Sequence, residues 1–336
     1  MSSQGINNKV NFEGLDLFKF VMAFLVVAIH VLPKSDSPEL FNSFFQTILN
    51  TAVPFFFITT GYLFEMKIER RSQSNKKTYV EFLINSLKLY VIWTLLYLPL
   101  TIYGLIENEE FNFKGILFAI KNFLFKGENY FSWPLWYLLT MVYFGLLLII
   151  SEKLKIKILY VFLISYLFYV TLLVNAVFFS HIELLHKINH YINTTFGGLR
   201  MLFGFVIILL GMQIRKNKIY FSQRFSLLIL FGSLILSTFS AFKFISHFYI
   251  IQAFCLFQLA LNIQYNGIVS SKFYRRSSTI IFLTHMYVYF IVLNIIDTKI
   301  NSPLSIYYIV CVGLLIMSIL INWKFSKNKF VNAIFP

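Results

Sequence analysis

Apolar runs close to 20 residues long recur from residue 15 to residue 323, separated by polar loops, and nothing else in this chain constrains its fold as strongly. A helical run of that length spans the ~30 Å hydrocarbon core of a bilayer at about 1.5 Å per residue. No stretch between the runs is long enough for an independent globular unit, so residues 1–336 are expected to form a single transmembrane domain. Composition agrees, with 58% of residues hydrophobic and only 13% charged, against roughly a quarter charged in soluble domains. Ten spans are expected, near 15–33, 45–64, 82–105, 133–150, 157–179, 197–214, 225–242, 248–266, 279–296 and 304–323. The expected fold class is all-α, a polytopic integral membrane helical bundle. The opening decapeptide MSSQGINNKV lacks the basic start and small-residue cleavage site of a removable signal, so the first span is expected to be retained. Cys255 and Cys311 both lie inside apolar runs and form neither a disulfide framework nor a zinc spacing.

The formal charge of +15 would suggest nucleic acid in a soluble protein, but in a membrane chain basic residues first report orientation. Alternate loops carry nineteen Lys and Arg residues, including Lys67, Arg70, Arg71, Lys76, Lys153, Arg215, Arg275, Arg276 and Lys324. The intervening loops carry seven, beside acids such as Glu107, Glu110, Glu128 and Asp297. Both termini are therefore expected on the cytoplasmic side of the cell membrane, and nucleic acid is not an expected partner.

Two outer segments exceed simple turns. In 106–132, Phe113, Ile116, Leu117, Ile120, Phe123 and Leu124 recur at helical spacing with Lys114 and Lys121 off the stripe, which predicts an amphipathic helix in the outer interface. In 180–196, His181, His186 and His190 have no carboxylate at a zincin position, and no metal is assigned.

Ionisable residues inside spans are costly and mark function by default. The first span holds Asp16, Lys19 and His30. Eleven residues at about 100° each bring Lys19 and His30 to one face, roughly 16 Å apart along the axis. Asp16, one turn before Lys19, is expected to pair with it. His285 is expected near mid-membrane in the ninth span, and Arg200 just inside the outer boundary between glycines that permit close helix approach. Lys88 reads as a snorkelling residue near the cytoplasmic end of the third span.

These residues carry a family resemblance. Asp16-Leu17-Phe18-Lys19, ten residues, then His30 resembles the first-helix signature of the membrane-bound acyltransferase-3 family, with Lys19 in place of its usual Arg. PFFFITTGYLF at 54–64, with Thr60 in the Ser place, WPLWYLLTMVY at 133–143 and STIIFLTHM at 278–286 are similar to further segments of that family. The run from Arg200 to Gly211 resembles the branch that includes the membrane domain of vancomycin-resistance serine racemases. The resemblance implies movement of an acyl group, usually acetyl, from cytoplasmic acetyl-CoA to a hydroxyl of an outer sugar or cell-surface polymer.

Under that reading His30 is the candidate base or transient acyl carrier, since neutral imidazole can take a proton from an attacking hydroxyl. His285 is its expected partner or orients the thioester, and Asp16 completes the polar face. Lys19, Arg70, Arg71 and Lys76 are candidates for the CoA phosphates, and Arg200 for an oxyanion or the acceptor. Trp133, Trp136 and Tyr137 are read as an aromatic belt that can stack on a sugar. Expected partners are acyl-CoA, the glycan or polymer acceptor, the bilayer and, as an option, a second copy of the chain. The competing reading is a transporter, in which the same buried Lys19, His30, Arg200 and His285 bind a small amino acid such as serine or export a surface polysaccharide.

Overall fold

The computed structural model describes residues 12–32, 39–71, 75–179, 181–239, 245–264, 269–296, 302–325 and 327–335. Among these, every regular element is a helix: α1 (Glu13–Val31), α2 (Glu39–Asn50), α3 (Ala52–Arg70), α4 (Asn75–Glu107), α5 (Phe113–Phe125), α6 (Leu135–Lys153), α7 (Ile158–Phe178), α8 (Glu183–Phe196), α9 (Leu199–Lys216), α10 (Gln223–Phe239), α11 (Ile245–Asn262), α12 (Ser271–Ile296), α13 (Pro303–Lys324) and α14 (Lys329–Ile334). The described residues of all ten expected apolar runs fall largely on helices, while 33, 240–242 and 265–266 lie outside the described residues. Among the described residues, seven spans have the length and composition to cross a membrane, α2 and α3 together making one, and the pair α8–α9, bent by 73°, makes an eighth if taken as one. The apolar helices α10 and α11 are shorter.

Several boundaries differ from the sequence expectation, among them the start of the third span, at Asn75 and not 82, and three further differences bear on the site. The second span is divided at Thr51, whose hydroxyl donates to the Ile48 carbonyl at 2.6 Å; Pro54, which has no N–H to donate, falls in the first turn of α3, where none is needed. Of the glycines around Arg200, Gly204 serves close helix approach, a Cβ there lying 2.7 Å from Thr140 Cγ2 of α6, whereas Gly197 and Gly198 do not. Both take positive φ, 62° and 40°, and make the corner between α8 and α9. The ninth span begins at Ser271 rather than 279, so Arg275 and Arg276 belong to the first turns of α12 and not to a loop.

The core pairs α3 with α9, α4 with α6, and α1 with α12, while α10 packs on α11 and α13 on α12. The α3–α9 contact is the tightest of these, since a Cβ on Gly61 would lie 1.9 Å from the Ile208 carbonyl oxygen and one on Gly211 2.2 Å from that of Ile58. Removing both side chains lets the backbones touch, as small-residue pairs do in membrane helices. By contrast α7 and α13 leave Leu163, Leu167, Val312 and Ile316 exposed, as helices facing lipid tails do.

Contacts sort the loops as their charges predict. Arg215 at the end of α9 pairs with Glu69 at the end of α3 at 2.7 Å, and Arg276 at the start of α12 donates to the Phe325 carbonyl after α13. These lie at one end of the bundle, here called the basic end. At the opposite end Arg200 meets Glu128, and Tyr130 donates to Glu110 at 3.0 Å. There α5 is started by Asn112, whose side chain accepts from the Gly115 N–H at 3.0 Å. It buries Ala119, Asn122 and Phe123 and leaves Phe113, Leu117, Ile120 and Leu124 outward, the pattern of an interfacial helix.

Candidate functional site

The helices α1 and α12 run parallel, because they touch twice in the same order. Near the basic end the Arg275 guanidinium grips the Asp16 carboxylate through two nitrogens, Nη2 to Oδ2 at 2.6 Å and Nε to Oδ1 at 3.0 Å. Arg275, and not Lys19, thus makes the direct ion pair with Asp16, while Lys19 stays within electrostatic reach of it. A planar fork matches both carboxylate oxygens, and Asp16, only 3% exposed, needs that match more than a point charge one turn away on its own helix.

Toward the other end the two helices bring His30 and His285 face to face, ring centroids 5.2 Å apart and planes 21° from parallel. Trp133 covers the other face of His30 at 5.4 Å and 19°. The three rings form one stack with His30 in the middle. Stacked imidazoles do not aim nitrogens at each other, so the pair shares no hydrogen bond through its ring faces. His285 is fully buried, and its Nδ1 lies 2.8 Å from the Phe282 carbonyl oxygen. A carbonyl only accepts, so Nδ1 carries the proton and Nε2 is left with a bare lone pair. That Nε2 has no hydrogen-bond partner. Within the same turn of α12, Tyr97 of α4 donates to the Leu283 carbonyl at 2.7 Å and holds this part of the helix in place.

A cavity of about 290 Å³ opens near the basic end, lined by Lys19 and Arg275 with Thr60, Ser278 and Thr279. A second, of about 410 Å³, lies toward the other end, lined by His30 and Arg200 with Asn50, Trp136 and Tyr249. Lys19 and His30, placed on one face by the spacing of eleven, thus serve different cavities. The Lys19 cavity is walled by an aromatic layer in which the Phe282 ring packs against Phe56 at 5.6 Å and Tyr137 at 5.2 Å, and Phe282 in turn lies 6.4 Å from His285, the ring stacked on His30 of the second cavity. The Thr60 hydroxyl gives its only proton to the Phe56 carbonyl, at 2.9 Å. Its oxygen, 3.1 Å from the Tyr137 hydroxyl, must then accept, so Tyr137 is the donor.

Arg200 lines the outer cavity and also makes a structural clamp. Its guanidinium holds Glu128 bidentately, Nη1 to Oε2 at 2.8 Å and Nη2 to Oε1 at 2.7 Å, and lies 5.2 Å from the Trp136 ring. Burial alone would raise the Glu128 carboxyl, but Arg200 and Lys126 together hold it below the usual carboxylate range. This clamp ties the loop that carries Trp133 to the start of α9. Of the basic residues expected near a phosphate, Arg71 pairs with Glu81, and Arg70 and Lys76 are exposed at the basic end. None of the three lines the Lys19 cavity. The histidines of α8 lie apart from the site, with His186 and His190 stacked at 6.4 Å.

Sequence reasoning missed Arg275, which it assigned to a loop, and the layer residues Phe56 and Phe282. A signal was present: Arg275, Ser278, Phe282 and His285 recur at spacings of three, four and three, one face of a helix that starts earlier than hydropathy alone suggests.

The chain matches the model of the acyltransferase-3 domain over residues 12–323. It is similar to an amino-acid racemase of Enterococcus faecalis, 31% identical over 158 residues, which is 44% of this chain and 21% of that protein. It is also similar to a serine/alanine racemase of Enterococcus gallinarum, 37% identical over 94 residues, 27% of this chain and 14% of that protein. The matched part is thus about a fifth or less of those relatives' length. No solved structure matches.

Proposed function

The chain belongs to the acyltransferase-3 family, and from that premise we propose that it is a membrane O-acetyltransferase, moving acetyl from cytoplasmic acetyl-CoA to a hydroxyl of an extracytoplasmic sugar or cell-surface polymer. The observation that carries the reading is the pair of cavities at opposite ends of one polar face, with the His30–His285 stack beside the aromatic layer that walls the Lys19 cavity. A one-sided enzyme needs no second cavity.

In this reading the basic end is cytoplasmic. The Lys19 cavity, at about 290 Å³, takes the acyl-pantetheine arm and not the nucleotide. The phosphates stay outside, where Arg70 and Lys76 are exposed. The acceptor hydroxyl enters the outer cavity, and an imidazole nitrogen of His30 takes its proton as the oxygen attacks the thioester carbon. The C–S bond breaks and the imidazolium returns the proton to the departing thiolate. While charged, His30 lies between the π-faces of Trp133 and neutral His285, which stabilise a cation without hydrogen bonding. The bare Nε2 of His285 offers a second proton acceptor in the same stack.

The test loads membrane vesicles with labelled acetyl-CoA and follows label on outer saccharide or polymer. Wild type is expected to transfer label and His30→Ala to lose it. Uptake of free serine without CoA consumption would overturn the acetyltransferase reading in favour of transport.

A further inference from the structure

At the end opposite the basic end, α5 and the loop after it enclose a third cavity of about 320 Å³, lined by Glu110, Asn122, Lys126, Tyr130 and Trp133. Asn122 is 9% exposed and its Oδ1 has no hydrogen-bond partner. The orientation of this amide follows from a chain of donors. The Asn129 Nδ2 donates to the Ala119 carbonyl at 3.0 Å, so its Oδ1 must face Asn122, whose Nδ2 donates to it at 3.2 Å. Flipping either amide would set oxygen against oxygen. The Asn129 backbone N–H is likewise spent, on the Ser132 hydroxyl at 2.7 Å. The network therefore fixes one buried acceptor with no donor supplied by the protein, a state that costs about 1–3 kcal/mol unless a ligand or water fills it.

The surrounding groups say what ligand chemistry fits. Asn122 Oδ1 and the Glu110 carboxylate accept, the Lys126 ammonium donates, and Trp133 and Tyr130 contribute aromatic rings to the wall. Glu128, which also lines the cavity, is neutralised by Arg200 and Lys126, so the cavity does not select a strong net charge. Convergent hydroxyl-binding groups beside aromatic planes suit a neutral saccharide, whose C–H faces stack while its hydroxyls donate and accept. The volume sits at the low end of the ~300–1,000 Å³ range for small-ligand sites, room for a single unit. Trp133 is the shared wall: it lines this cavity and its ring stacks on His30.

We propose that this vestibule is a saccharide subsite that holds the unit of the acceptor next to the one being acylated, with the Asn122 side-chain oxygen as its buried hydrogen-bond acceptor. The proposal rests on the acetyltransferase reading for its role, though not for its binding chemistry.

The test is saturation-transfer NMR on the full chain in lipid nanodiscs with two probes, methyl β-glucopyranoside and N,N'-diacetylchitobiose. Wild type should transfer saturation to the ring protons of at least one. Asn122→Leu, which removes the acceptor, and Glu110→Ala, an exposed position that keeps the fold safe, should each weaken binding about tenfold. No transfer from wild type, or equal transfer in all three proteins, would overturn the subsite. Binding lost in the variants while vesicles transfer no acetyl would sink the acetyltransferase reading and leave the subsite standing; acetyl transfer with no saccharide binding does the reverse.

Discussion

The imidazole of His30 lies face to face with that of His285 at 5.2 Å, so the two histidines share π-surface and not a hydrogen bond. One of them, His285, has its proton pinned on Nδ1 by the Phe282 carbonyl, while His30 borders the outer cavity. Two histidines in one stack thus differ in what they can do.

His30→Ala and His285→Ala should each cut acetyl transfer by about 10²–10⁴, the usual worth of a positioned base. The double variant should lose little more than the worse single one, because residues acting as a unit are not additive. Initial rates in loaded vesicles check this; a fully additive loss would separate the two roles.

Arg275→Ala should destabilise more than Asp16→Asn. The first leaves a carboxylate that is 3% exposed without its guanidinium, at a cost of about 2 kcal/mol, whereas the second leaves a half-exposed guanidinium that water can reach. Thermal unfolding of the purified variants in detergent gives the order directly.

Phe282→Ala should open the aromatic layer that walls the Lys19 cavity. Acceptor-independent hydrolysis of acetyl-CoA is then expected to rise several-fold, roughly the scale of losing one water-excluding contact. Release of free CoA without acceptor, compared with wild type, measures it.

Gly61→Val should cost about 3 kcal/mol or prevent folding, since its Cβ would sit 1.9 Å from the Ile208 carbonyl oxygen on an adjoining backbone. Gly232→Ala, with nothing within 4 Å of the added carbon, should be neutral or stabilise α10 by up to about 1 kcal/mol. Folded yield and melting temperature distinguish the two.

Acid should release the Trp133 loop. The Glu128 carboxyl is depressed in the folded state, so its contribution is fully present above the ordinary carboxylate value of 4.5 and is lost as pH falls through the lower folded value. Stability should therefore drop below about pH 4.5 in wild type, and Glu128→Gln should flatten that part of the profile. Tryptophan emission and melting temperature between neutral pH and pH 3 follow it.

The membrane bundle, the sorting of basic loops to one end, the outward stripe of α5 and the shared face of Lys19 and His30 were all legible in the sequence. Each depends on rise and turn along one helix, or on transfer of side chains from water to lipid, and both are local properties of the chain. Tertiary structure alone decided that Asp16 is held by Arg275 and not Lys19, that His30 and His285 stack, and that an aromatic layer walls the Lys19 cavity. Those pairings join residues more than 250 positions apart in two of the three cases, and they depend on how far one helix is displaced along its neighbour. Packing across the bundle, not periodicity within a helix, fixes such registers, as the close approach of Gly61 on α3 to Ile208 on α9 shows for another helix pair.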